Sequence, residues 1–310
     1  MKMAQNGSSF SELIRNAVED WIIIPGKIIA RNKRGLVGLI IALGYLFVGI
    51  VGTHIIQEPQ SFTCMPYEPP SLLKWPPSFE HPLGCDYIGT DILAQIVYGT
   101  PIVLQIALTA GLITTIIGVL VGLTAGFKGG MVDTVLTGIT QIIMTIPGLP
   151  LIIVLSTVIR TYQPWTIGAL IAIRWWTGLA MSIRSQVLSI KQRDFIEAAK
   201  VLGMKTHHII LREIMPNLIS YIAINFVFAA VGAIYASVGL YFLGVLPIST
   251  YNWGVMLNMA YKQAGGGASV AALHYFLAPI LAIVLLQTGL ILLTYALDEV
   301  FNPRIRTEVS

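Results

Sequence analysis

Five long stretches of this chain contain no Asp, Glu, Lys or Arg: residues 35–57, 92–127, 134–159, 214–261 and 263–297. Each exceeds the ~20 residues a helix needs to cross the hydrocarbon of a bilayer. In that medium every backbone amide and carbonyl must find its partner inside the protein, which leaves an all-α membrane protein as the expected fold. Composition agrees, with 55% hydrophobic residues, 11% charged residues and a mean hydropathy of +0.76. Soluble domains carry about twice that charge. The pI near 9.0 then reports basic loops at a membrane surface, with lipid as the partner and no nucleic acid.

Six transmembrane helices are expected, at 35–56, 101–127, 131–159, 165–185, 218–245 and 274–297. Pro147 and Pro150 should kink the third, releasing carbonyls that only protein or water can satisfy. The run 214–261 holds one span, because Pro247 and the polar residues Ser249 to Asn252 leave too little apolar chain behind them. Ahead of the first span, the segment 1–34 has an apolar cluster (Trp21 to Ile24) too short for a secretory signal. Ser9 and Glu12 resemble a capping box, and Phe10, Leu13, Ile14, Val18 and Trp21 recur at helical spacing. This predicts an N-terminal interfacial amphipathic helix, anchored by Lys27, Arg31, Lys33 and Arg34. The remaining divisions are a loop at 57–100, a five-span core at 101–297 that includes a polar segment at 188–217, and a tail at 298–310. Fifteen of the 19 Lys and Arg residues fall on one face of this arrangement. Both termini and the polar segment are therefore expected in the cytoplasm of a multi-pass plasma-membrane protein, with the loop 57–100 outside.

The polar segment is the unusual one. Asp194 to Asn217 places Asp194, Glu197, Lys200, Lys205, Arg212 and Glu213 among Phe195, Ile196, Val201, Leu202 and Ile209 to Leu211. Two short helices broken at Gly203 fit it, and Pro216 can open the next helix. A loop this long and amphipathic reads as a docking surface.

No catalytic set is present: no HExxH, no GxSxG and no phosphate-binding glycine loop with its lysine. His207 and His208 are adjacent and point ~100° apart on a helix, so they cannot chelate one metal together. The two cysteines, Cys64 and Cys85, show no metal-ligand spacing. They either close a disulfide in an oxidising exterior or remain free thiols. Asp86 and Asp91 flank prolines and glycines and read as structural. Arg174 is a mid-membrane charge, costing ~2.5 kcal/mol or more on insertion scales. It either lines a translocation path or binds span-end carbonyls. The small residues Ala229, Ala230, Gly232, Ala233, Ala236 and Gly239 permit close helix contacts in a rearranging bundle.

Two motifs carry a resemblance to a known family. Glu197, Ala198, Ala199, Gly203 and Pro216 resemble the EAA loop of ABC-importer permeases, with Glu213 and Met215 departing from the pattern. His81-Pro82-Leu83-Gly84-Cys85-Asp86-Tyr87-Ile88-Gly89-Thr90-Asp91 is similar to the HPLGTDxxGRD signature of the dipeptide/oligopeptide/nickel branch, with Cys85 in place of Thr and Thr90 in place of Arg. Gly239 to Gly244, Trp253 to Leu257 and Asn302-Pro303-Arg304 echo further family motifs. The resemblance implies a type I ABC-importer permease fold. It implies a second permease subunit, two cytoplasmic ATPase subunits holding ATP and Mg, and an extracytoplasmic solute-binding protein. The EAA residues would couple to the ATPases, and this chain would bind no cofactor or metal and hydrolyse nothing.

Two readings from other classes compete. An ion-coupled secondary transporter needs intramembrane Asp or Glu, and the charge-free runs hold none. An intramembrane enzyme needs paired His, Asp or Glu at membrane depth. For the solute, the branch implies peptides, with oligosaccharides or nickel as alternatives. Tyr251, Trp253 and Tyr261 suit either sugar stacking or an interfacial aromatic belt.

Overall fold

The computed structural model describes residues 29, 31–61, 63–64, 76–159, 162–247, 251–264 and 273–301. The interfacial helix expected within 1–34, the centre of the first loop, residues 265–272 and the Asn302-Pro303-Arg304 motif lie outside the described residues.

The apolar runs form helices whose ends follow local chemistry. Helix α1, Lys33–Ile55, includes one wide π turn over Val48–Gly52 and starts at Asn32, whose side chain accepts from the Gly35 amide. Helix α2, Ile92–Lys128, starts well before the boundary at 100 expected for the loop. The Asp91 side chain caps it by accepting from Ala94, and Pro101 is carried inside the helix instead of opening it. Near that proline the Ile96 carbonyl accepts from both Thr100 Oγ1 and Trp253 Nε1.

Helices α3 (Gly130–Thr145) and α4 (Gly148–Val158) occupy the expected third span, bent by 86°. Pro147 is the cause: its ring pushes Ile146 out of the helical region to φ −74°, ψ 123°. A kink was expected; the result is a right angle. Helix α5, Pro164–Ile190, opens on a proline whose missing amide costs nothing there. Then come α6 (Asp194–Val201), α7 (Thr206–Ile209), a π turn at Ile210–Ile214 and a 3-10 turn at Met215–Asn217. Helices α8 (Ile219–Phe242), α9 (Trp253–Ala264) and α10 (Leu273–Phe301) complete the described chain. Among the described residues α1, α2, α5, α8 and α10 are long and apolar enough to span a membrane, and the bent α3–α4 pair makes six if it counts as one span.

Helices α2 and α5 run parallel and form the spine. A Cβ added at Gly118, Gly122 or Gly126 would sit 3.0, 2.6 or 2.8 Å from Leu179, the Ala180 carbonyl or Val187, respectively. The missing side chains let the two backbones meet along their length. Gly35 and Gly38 bring α1 against α10 in the same way, at Ala296 and Leu293. Gly232 of α8 takes the Trp175 ring, whereas Gly239 faces open space. Trp253 corrects the belt reading: it is fully buried, edge-on to Tyr45 and seated over Gly99.

Candidate functional site

The loop at 194–217 is fastened beneath one end of the α2–α5 spine. Ile196, Ile209, Ile214 and Leu218 are buried against Leu123, Phe127, Ile183 and Val187. Lys191, the residue after α5, donates Nζ to the Phe127 carbonyl at 2.6 Å, tying the loop's root to the last turn of α2. Helix α6 presents two faces because successive residues differ by ~100°. Ile196 and Ala199 point inward, while Phe195, Glu197, Ala198, Val201 and Leu202 are exposed, Val201 at 88% and Leu202 at 79%. The alanine pair thus divides its work, Ala199 packing and Ala198 thinning the outer ridge.

Gly203 ends this helix in the left-handed region at φ +73°. Its amide donates to the Lys200 carbonyl at 3.0 Å and the Met204 amide to Ala199 at 3.1 Å, a Schellman closure that only glycine adopts without strain. Pro216 is exposed in the 3-10 turn that leads into α8. His207 and His208 belong to α7, their rings 6.4 Å apart and inclined by 79°.

At the other end of the bundle, the turn 81–91 is organised by its two aspartates. The buried Asp86 carboxylate accepts from the Ile88 and Thr90 amides at 3.0 and 2.8 Å and from Gln95 Nε2 at 2.8 Å. Burial pushes its carboxyl above the ordinary aspartate value, against the pull of those hydrogen bonds. Asp91 caps α2 and holds His81 Nδ1 at 2.6 Å. Cys64 and Cys85 are joined as a disulfide, their Cα atoms 6.6 Å apart. The bridge sews the chain after α1 to the turn before α2, and the Cys64 amide adds a bond to the Gly89 carbonyl. Sequence spacing concealed that His81 lies beside the two cysteines, within 4.8 Å by ligand atoms.

Arg174 is committed to the break in the third span. Its Nε donates to the Ile146 carbonyl at 2.7 Å and Nη2 to Met144 at 3.3 Å, and its side chain lies over Gly148. A second pair escaped the sequence reading. Arg184 of α5 binds the Asp133 carboxylate through both Nε and Nη2, the latter at 2.6 Å to Oδ2. Both residues sit at the margins of expected spans.

Residues 118–307 match the family described as the binding-protein-dependent transport system inner membrane component. The chain belongs to this family. Among the permease's relatives is the dipeptide transport system permease protein DppC of Bacillus subtilis (strain 168), 32% identical over 229 residues, which are 74% of this chain and 70% of that protein. The oligopeptide transport system permease protein OppC of the same strain is 30% identical over 230 residues, 73% of each chain. A putative peptide permease of Brucella ovis is 28% identical over 283 residues, 88% of each. A solved structure of the MetNI methionine ABC transporter, in inward-facing form, aligns with a TM-score of 0.49 at 18% identity, over 71% of the permease and 98% of that chain. The permease is a membrane protein of the ABC-importer class, one component of a larger system, and its relatives are transport permeases rather than enzymes.

Proposed function

We propose that this permease forms half of the translocation path of an importer for oligopeptides. The other half is a second permease subunit, two ATPase subunits supply ATP and Mg, and an external solute-binding protein delivers the solute. Both termini and the 194–217 loop face the cytoplasm, and the turn 81–91 faces outward.

The observation that carries the reading is the outer ridge of α6. Phe195, Ala198, Val201 and Leu202 are exposed beside Glu197, on a short helix whose other face is locked into the spine. Such a ridge suits the cleft of an ATPase. Nucleotide-driven closure of the ATPases then moves α5 through the loop root and rocks the spans between inward- and outward-open states. The peptide assignment is supported by the names of the relatives. Of the three aromatics suited to sugar stacking, Trp253 is buried, while Tyr251 is half-buried with its hydroxyl on the Pro59 carbonyl and Tyr261 stays exposed, so oligosaccharides remain the alternative solute.

Pull-down of the tagged permease should recover two ATPases and a second permease. Glu197→Ala and Gly203→Pro should leave the spans inserted but abolish solute-stimulated ATP hydrolysis or release the ATPases. Recovery of a lone, active protein, or normal coupling in both variants, would defeat the proposal. A binding screen on the partner solute-binding protein then tests peptides against oligosaccharides.

A further inference from the structure

Helix α3 has little packing to hold it. Of its 16 residues only Thr140 is buried. Its two ends are gripped instead by two arginines of α5. Near the start, Arg184 forks onto Asp133, whose Oδ1 also accepts from Thr137 Oγ1 at 2.9 Å. At the far end, Arg174 donates to the carbonyls of Met144 and Ile146. The arginines are ten residues apart in an antiparallel neighbour, roughly 15 Å at the rise of an α-helix, which fits the span between their targets. Bidentate pairing adds geometric definition to the grip.

Helix α5 also leads directly into the 194–217 loop, and α3 leads directly into the right-angle break at Pro147. We propose that Arg174, Arg184 and Asp133 are positioning residues that strap α3 to α5 as one body, so that a stroke received by the loop arrives at the break undiminished. The inference rests on the reading that the loop receives that stroke from ATPases. The strap itself is a property of this chain and is measured without nucleotide.

The test uses the assembled importer with spin labels at Val135→Cys and Ser185→Cys, one exposed position on each helix. In the otherwise unaltered chain the distance distribution should be narrow and the same with and without trapped nucleotide. Combining Asp133→Asn with Arg174→Gln should broaden it and lower transport per ATP hydrolysed by about fivefold or more, the range of ordinary coupling energies. The reversed pair, Asp133→Arg with Arg184→Asp, should restore both readings relative to either single reversal. Equally narrow distributions in every variant overturn the strap, as does a distance that changes with nucleotide in the unaltered chain. If Arg174→Gln alters solute preference while the distribution stays narrow, Arg174 belongs to the path and its place in the strap is lost. Transport by the unaltered importer that does not require ATP counts against the coupling reading alone, since the nucleotide-free distances still decide the strap.

Discussion

At Gly203 one absent side chain sets the shape of the loop. Any residue with a Cβ would pay about 1–2 kcal/mol to hold the left-handed conformation found there, and proline could not reach it. Asp86 is the residue with the clearest response to pH. Its carboxyl is raised in the folded turn, chiefly by burial. The stabilisation is therefore complete below the ordinary aspartate value, about 3.9, and is lost as pH rises through the higher folded value. Amide exchange at Ile88 and Thr90, corrected for intrinsic rates, should reveal more frequent opening across that rise. Asp86→Asn should flatten the dependence. Equal protection at both ends of the range in the unaltered protein would show that the carboxyl does not govern the turn.

At the scale of elements, the outer turn combines a cap, an Asx-type network and a covalent bridge. Closing a loop with a sequence separation of 21 residues should be worth roughly 3 kcal/mol. Cys64→Ser is expected to expose the segment after α1 to protease while α2 stays helical, since its Asp91 cap does not depend on the bridge. Non-reducing mass spectrometry checks the premise, and two alkylated cysteines would remove it. The charge-free runs make the spans legible, and Gly203 makes the loop legible as two short helices with a break between them. The start of α2 is not legible from the apolar run alone: a span placed at 101–127 omits its first turns, and the cap that opens it, Asp91, lies ten residues before Pro101. The third span is legible as kinked because both prolines are visible, but the carbonyls released there are met by Arg174 from α5, a contact no local pattern reveals. Asp133 and Arg184 were missed because a count of charge-free residues stops at such positions and says nothing about which of them meet.

For the whole molecule the decisive contact is the α2–α5 spine. The sequence reading looked for close packing in the small residues of α8, and the four-residue repeat of Gly118, Gly122 and Gly126 was the stronger signal. At Gly122 an added Cβ would meet the Ala180 carbonyl at 2.6 Å, whereas Gly138 of α3 has nothing within 4 Å. Gly122→Val should therefore destabilise the detergent-solubilised chain by about 1–3 kcal/mol, in line with overpacked cores. Gly138→Val should stay within ~0.5 kcal/mol, as surface changes do. Comparable melting of the two variants would deny the spine its role.

The same glycine row limits how the bundle can move. Leu179, Ile183 and Val187 each occupy a notch one side chain deep, and all three notches lie along a single line. Sliding α5 lengthwise past α2 would lift three side chains out of three seats at once, whereas tilting the pair together disturbs none of them. A push at the loop is thus converted into a swing of a stiff two-helix lever, and the yielding has to happen at the softer joints around it.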